Sequence, residues 1–383
     1  MRNKWWALLL AVFLLLSALV GCNKTATGGD EIIIGGLAPE TGKLSVYGLG
    51  VKQGAELAIK EINEKGGILG KKIRFISLNE QGDETEALNA YRRLRDQEHI
   101  QALIGDVTSK PTMAVAMEAA KDRMPMITPS GTMEAITTAG PNVFRACFID
   151  PVQGQAMASY AADALKVKSA AVIYDSDDDY SSGVKEAFVA ECKAKGIEIV
   201  LEEGYISGTV DFKPQLTKIG QKAPEVLFVP VYYQDVALIL KQSKEIGLSA
   251  IMMGGDGWDG VLETLKEEAG KADGGYFANQ FFLGDPDEKV QKFIASYRAA
   301  YNKDPVSFAA LGYDSAYILA AAIERAGGAT DKDKINAELA KTDYKGVTGQ
   351  IRFDEKRNPV KSIQVIKVVN GQYTQHDILK PEN

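Results

Sequence analysis

The chain has 383 residues, 45% hydrophobic and 25% charged, with three cysteines and a formal net charge of −7. That length buries enough surface to do without a disulfide staple or structural metal, and the mix excludes a disordered, collagen-like or small disulfide-stapled protein. An acidic balance with no dense Lys/Arg run excludes nucleic acid as the main partner, and two histidines, His99 and His376, leave little material for a zinc site or a Ser-His or Cys-His triad, so an enzyme is not expected.

Residues 1–21 read as an export signal: a basic start at Met1-Arg2-Asn3-Lys4, an uncharged apolar run from Trp5 to Val20, then Gly21. The run is at the short end for a permanent membrane span. Leu19-Val20-Gly21-Cys22 resembles a bacterial lipobox, in which Cys22 becomes a lipidated N-terminus, and residues 22–30 are a polar tether. Cleavage would remove Arg2 and Lys4 and take the net charge from −7 to −9. The other cysteines, Cys147 and Cys192, have no spacing that pairs them and are expected as buried free thiols.

Short β-branched runs bounded by turn residues then recur at 32–34, 73–76, 102–104, 126–127, 170–174, 197–201, 226–229, 251–253 and 276–278. They have the character of parallel strands buried on both faces. Helix-length segments lie between them, with apolar residues at helical spacing such as Val51, Ala55, Ala58 and Ile62. A further strand-like run at Val143–Phe148 separates two similar halves. The tail breaks the rhythm with helical patterns at 286–301, 308–326 and 332–340, then strand-like runs at 350–353 and 362–369. The expectation is α/β: two doubly wound, Rossmann-like lobes joined by a multi-crossover hinge. Lobe 1 takes 31–146 plus 279–353, and lobe 2 takes 147–278 plus 354–383.

In open α/β sheets, ligands bind beyond the carboxyl ends of the strands. In the first half those loops gather hydroxyls: Thr108-Ser109 and Thr128-Pro129-Ser130-Gly131-Thr132. Ser109 precedes a helical pattern starting near Pro111, and Thr132 precedes another, so each can sit beside backbone N–H groups at a helix N-terminus and help hold a carboxylate. Taken singly, each also reads as a helix cap. The second half offers Tyr180, Tyr232, Tyr233, Asp256 and Trp258, an acid among rings that suits an ammonium with an apolar body. An anion side and a cation side together suit a zwitterion. Two motifs fall short. Gly36–Lys43 misses phosphate-loop spacing and ends in Leu44. Asp175, Asp177, Asp179 and Glu186 match the EF-hand ligand positions, but Tyr180 stands where the turn glycine belongs, so no metal is expected.

Gly35-Gly36-Leu37-Ala38-Pro39-Glu40-Thr41-Gly42, Tyr47-Gly48 and the segment from Gly54 to Gly70 resemble the start of the leucine/isoleucine/valine-binding family, type I periplasmic binding proteins that serve ABC importers. The likeness continues through Ile104-Gly105, Ile127–Thr132 and Tyr313-Asp314-Ala316-Tyr317. It implies a site in which Ser109, with Ser130, Gly131 and Thr132, holds the ligand carboxylate and Asp256 meets the amino group. Tyr47, Tyr180 and Tyr232 would close over the ligand or line its pocket. The chain departs from the family by carrying Gly82 and Thr108 where a disulfide is often found, and Asp rather than Glu as the acid. Lys110 leaves room for a ligand with a second anionic group. The expected function is capture of a free amino acid, aliphatic or branched-chain, by hinge closure. The alternative is a ligand-sensing receptor component of the same fold for an amino acid or amide-like molecule. No cofactor is expected. The implied partners are the amino acid, an ABC permease with its ATPase subunits, and a membrane through the lipid on Cys22; the protein itself would be an extracytoplasmic monomer.

Overall fold

Parallel strands with helical crossovers account for most of the chain. The structure, a computed structural model, describes residues 31–380. The signal segment, Cys22 and the tether lie outside the described residues. No helix among the described residues is long and apolar enough to cross a membrane.

The first sheet is wholly parallel, in the order β2-β1-β3-β4-β5. Its strands are β1 (Ile32–Ala38), β2 (Ile73–Asn79), β3 (Ala102–Ile104), β4 (Met126–Thr128) and β5 (Val143–Arg145). Helices α1 (Ser45–Glu64), α2 (Glu84–Asp96) and α3 (Ser109–Lys121) make the crossovers, and a 3-10 turn at Glu134–Ala139 leads into β5. Strand β5 ends at Arg145, three residues short of the strand-like run that extends to Phe148, so Cys147 lies beyond the strand.

The second sheet has the order β14-β13-β10-β9-β8-β6-β7. Strands β6 (Ser169–Asp175), β7 (Glu198–Tyr205), β8 (Val226–Phe228), β9 (Ile251–Gly254) and β10 (Tyr276–Asn279) run parallel, while β13 (Ile363–Val369) and β14 (Gln372–Leu379) join antiparallel. Their helices are α4 (Asp150–Asp163), α5 (Asp179–Ala194), α6 (Lys213–Gln221), α7 (Tyr233–Glu245) and the short α8 (Val261–Leu265). Between the two strand series of this sheet come α9 (Glu288–Tyr301), α10 (Ser307–Arg325), α11 (Lys332–Leu339) and the hairpin β11 (Asp343–Gly346) with β12 (Gly349–Arg352).

Strand burial explains the signal in the sequence. β3, β4, β8 and β10 are buried at every position, so they read as unbroken apolar runs. β11 and β14 are polar and half-exposed, and no apolar periodicity announces them. The tail helices return to the first lobe. α10 packs its small residues against α1, where a Cβ on Gly54 would collide with the Ala309 carbonyl and one on Gly312 with the Val51 carbonyl. Backbones that approach this closely admit only glycine at the crossing.

The chain passes between the sheets at 146–149, 280–287 and 353–362. These passages are bonded to one another: the buried Lys361 Nζ donates to the Ala146 carbonyl at 3.0 Å and to Thr348 Oγ1 at 2.7 Å, and Phe148 N donates to Gln280 Oε1 at 3.1 Å. Burial also settles the thiols. Cys147 and Cys192 are buried and unpaired, and desolvation pushes each up to about 12, so neither is a reactive thiolate.

Candidate functional site

Two sets of loops at the carboxyl ends of the parallel strands face each other. In the first, the helix α3 begins at Ser109, two residues earlier than the apolar pattern predicts, with Thr108 as its N-cap and no side-chain cap bond. Its first-turn amides are therefore left for another acceptor. Ser109 is not a cap. Its buried hydroxyl oxygen accepts from Met133 N at 3.3 Å and ties the helix start to the loop after β4.

That loop is held from several sides. Ser130 Oγ donates to the Val107 carbonyl at 2.8 Å, and Thr128 Oγ1 donates to the Asp106 carbonyl at 2.7 Å while accepting from Gly131 N at 2.9 Å. A Cβ on Gly131 would press on Thr128 Oγ1, Thr112 and Ile136, which explains the glycine. Thr132 is followed by a 3-10 turn whose cap is Met133, not by an α-helix, so its expected place at an α-helix start is corrected. Its carbonyl accepts from Asp150 N at 3.0 Å, and its hydroxyl lies within hydrogen-bond reach of the Asp150 carboxyl. The Ser130 and Thr132 amides have no protein acceptor among the described residues.

The second set is acidic and aromatic. Asp256 follows β9 and is 4% exposed. Tyr180 OH, at the start of α5, donates to Asp256 Oδ1 at 3.0 Å and accepts from Gly257 N at 3.0 Å. Gln153 Oε1, from α4, accepts from Asp256 N at 3.0 Å. A Cβ on Gly255 would strike Gln153 Oε1 and Tyr180 OH, so the loop can lie this close only as glycine. Burial pushes the Asp256 carboxyl up to about 6, opposed by the bonds from Tyr180 and Gln153. Two further carboxyls share this face. Burial pushes Asp150 up to about 8 and Asp178, the N-cap of α5, up to about 7. Tyr180 stacks on Tyr232 with centroids 4.9 Å apart.

Tyr47, on α1, joins the two sets. Its hydroxyl donates to the Gly257 carbonyl at 2.5 Å and accepts from Tyr233 N at 3.1 Å, while its ring stacks on Phe308 at 3.9 Å. Apolar contact continues across the cleft, where Tyr47, Val107 and Phe308 cluster with Val231, Tyr233 and Trp258. The two lobes are closed upon each other. Trp258 is placed differently from the other predicted residues: fully buried, it donates Nε1–H to the Val229 carbonyl at 2.8 Å and packs along Phe277, supporting the Asp256 loop from the core.

The structure thus gathers Ser109, Ser130, Gly131 and Thr132 in one lobe, gathers Tyr180, Tyr232 and Asp256 in the other, and makes Tyr47 a bridge. Sequence reasoning missed Asp150, Gln153 and Phe308, which lie in helices, and Arg145. Arg145 carries a signal of its own, an arginine inside the apolar run Val143-Phe144-Arg145-Ala146. Chemically, one face offers unpaired N–H groups and hydroxyls, and the other offers a buried carboxyl flanked by phenols.

Comparison with known proteins follows the same lines. The family model described as periplasmic binding protein matches residues 31–372. The chain is 31% identical over 311 residues to the Leu/Ile/Val-binding protein BraC3 of Rhizobium johnstonii, covering 81% of this chain and 83% of that one. Among solved structures it is similar to the branched-chain amino acid transporter substrate binding protein LivJ of Streptococcus pneumoniae in complex with isoleucine, with TM-score 0.87 and 34% identity over 92% of this chain and 100% of that one. It is also similar to the leucine binding protein LivK of Thermotoga maritima, with TM-score 0.86 and 33% identity over 91% and 99% of the two chains.

Proposed function

The chain belongs to the periplasmic binding protein family, in its leucine/isoleucine/valine-binding branch, and from that premise we propose that it captures a free aliphatic amino acid between its lobes for an ABC importer. The observation that carries this reading is the opposition of two unlike faces: an uncapped helix N-terminus with unpaired amides on one, and the buried Asp256 carboxyl on the other. The α-carboxylate is taken by the Ser109 hydroxyl, the amides of Ser130 and Thr132 and the start of α3. Ser130, through Val107, and Gly131, through its lack of a Cβ, shape that loop. Asp256 takes the ammonium, which returns it to the ionised form. Tyr180 and Tyr232 border the apolar side chain.

Closure excludes water, so that charges which would be screened outside act at lower dielectric. The family is one of substrate-binding proteins, and its work here is capture and delivery rather than catalysis. The closed form would be read by a permease with its ATPase subunits. Lipidation at Cys22 would hold the protein at the outer face of a bacterial membrane, with residues 22–30 as the tether.

A thermal-shift screen of all the proteinogenic amino acids, on protein unfolded and refolded to strip carried-over ligand, tests the reading. Leucine, isoleucine or valine is expected to raise the melting temperature most. A flat response to every amino acid would overturn it. A largest shift with glutamate or aspartate would transfer the specificity to an acidic side chain beside Lys110.

A further inference from the structure

Arg145 is one of the largest fully buried side chains among the described residues, and it pairs with no carboxylate there. Its guanidinium is spent instead on the backbone of one loop. Nη1 donates to the Gly131 carbonyl at 2.9 Å, and Nη2 donates to the Met133 carbonyl at 2.8 Å, the Glu134 carbonyl at 3.0 Å and Thr137 Oγ1 at 3.5 Å. The Cys147 thiol adds a weak bond to the same Gly131 carbonyl at 3.5 Å. Nε is buried with no partner.

A peptide unit is planar, and in the trans form its C=O and the following N–H point in opposite directions. Drawing the Gly131 carbonyl toward Arg145 therefore turns the Thr132 N–H the other way, and that amide is one of those with no protein acceptor. The two remaining carbonyl bonds fix the following peptides, so the loop cannot rotate its donors back. A cation of fixed fork geometry is needed to gather three carbonyls at once, since carbonyl oxygens repel one another. Its charge, which meets the carboxylates of Asp150, Glu134 and Asp354 only at longer range, also lies behind the loop that the reading above gives to a carboxylate.

We propose that Arg145 is the positioning residue of the carboxylate subsite: it orients the 130–134 loop so that the Thr132 amide is presented to the ligand's carboxylate, and it supplies the buried positive charge that favours an anion there. The inference rests on the proposed amino acid site. It assigns carboxylate recognition to a side chain that touches no ligand.

The test compares L-leucine with L-leucinamide, which keeps the ammonium and the side chain but lacks the charged carboxylate, by titration calorimetry, with thermal melts to verify folding. Arg145→Met is expected to weaken leucine about 30-fold or more while leucinamide changes by less than about 3-fold, so that the ratio between them collapses. Arg145→Lys, which keeps the charge without the fork, is expected to fall between, at about 5- to 10-fold for leucine. Thr137→Val, which removes the longest Arg145 bond together with the Thr137 Oγ1 bond to Asn358 Oδ1, keeps the test open if either Arg145 variant folds poorly. A loss of about 2- to 3-fold for leucine only is expected, and Asn358→Ala, which removes the Asn358 bond alone, is expected to leave the ratio of the two ligands unchanged. Equal losses for both ligands, with the wild-type ratio kept, would overturn the proposal while leaving the amino acid site standing. A wild-type protein that binds no amino acid would overturn the site and the positioning role together.

Discussion

The two lobes solve the problem of holding a charge in opposite ways. The first presents neutral donors, amides and hydroxyls, whose charge state does not change with pH and whose buried cation, Arg145, is spent on backbone carbonyls. The second presents carboxyls that burial drives toward neutrality: Asp256 up to about 6, Asp178 up to about 7 and Asp150 up to about 8. On the proposed reading, the difference teaches that the anion side is organised in advance by geometry. The cation side would become fully charged when an ammonium arrives to share the burial.

Removing the acid should break that contrast most severely. Asp256→Ala is expected to cost about 2 to 5 kcal/mol of amino acid affinity, the range for truncating one partner of a buried charge pair, with the melting temperature of the ligand-free protein nearly kept. Unchanged calorimetric affinity would remove Asp256 from the site. Ser109→Ala takes one donor from the pre-organised side and is expected to lose about 1 to 3 kcal/mol, because a hydrogen bond to a charged group is at stake. A loss larger than that of Asp256→Ala would mean that the first lobe, not the second, dominates.

Acid titration separates the lobes without mutation. The free-protein Asp256 carboxyl sits at about 6 and must ionise to meet an ammonium, so affinity is expected to hold above that pH and fall about tenfold per unit well below it. Calorimetry between pH 7.5 and 5 reads this directly, and a flat profile would contradict the assignment.

The smallest effect concerns stability, and it reverses the sign. Glu80 and Asp106 in the first lobe are fully buried, and each has one carboxyl oxygen with no other partner, Oε1 and Oδ2, so one proton shared between them satisfies both. Burial and the neighbouring Asp106 push Glu80 up to about 9, against an ordinary value of 4.5, so the folded state holds a proton that the unfolded chain releases. That stabilisation is complete below the ordinary value and is lost as pH rises through about 9. The melting temperature is expected to decline by a few degrees, roughly 2 to 4 °C per kcal/mol, between pH 6 and 9, and Glu80→Gln should flatten the decline. An unaltered slope in that variant would place the titration elsewhere.

Much of this was legible before any coordinates. The parallel strands were visible because burial on both faces leaves nothing but apolar residues in them. The loops holding Ser109, Tyr180 and Asp256 followed from the rule that ligands meet strand carboxyl ends. Edge strands such as β14 were not legible, since a strand that meets water along much of its length keeps a largely polar sequence even where Tyr373 and Leu379 reach the core. Nor were contacts between distant segments. The partners of the Tyr47 hydroxyl lie 210 and 186 residues away, and Trp258, which reads as a ring beside an acid, turns out to fill the core beneath it. Arg145 falls between these cases. Its place in an apolar strand was visible, but its use was hidden in backbone carbonyls that no composition reveals.

The Tyr47 bridge has a further consequence for how cargo is counted. Both of its bonds join protein to protein, so part of the free energy of shutting is present whether or not anything is inside. The apparent dissociation constant is the intrinsic one divided by the fraction of molecules in the competent state, and each capture is taxed by the fraction that stands open. A firmer bridge would lower that tax while filling the population with shut but empty molecules, decoys for any transporter that reads shape. The Tyr47 phenol, together with the apolar contacts around it, therefore weighs on the balance between thrift in binding and fidelity in reporting.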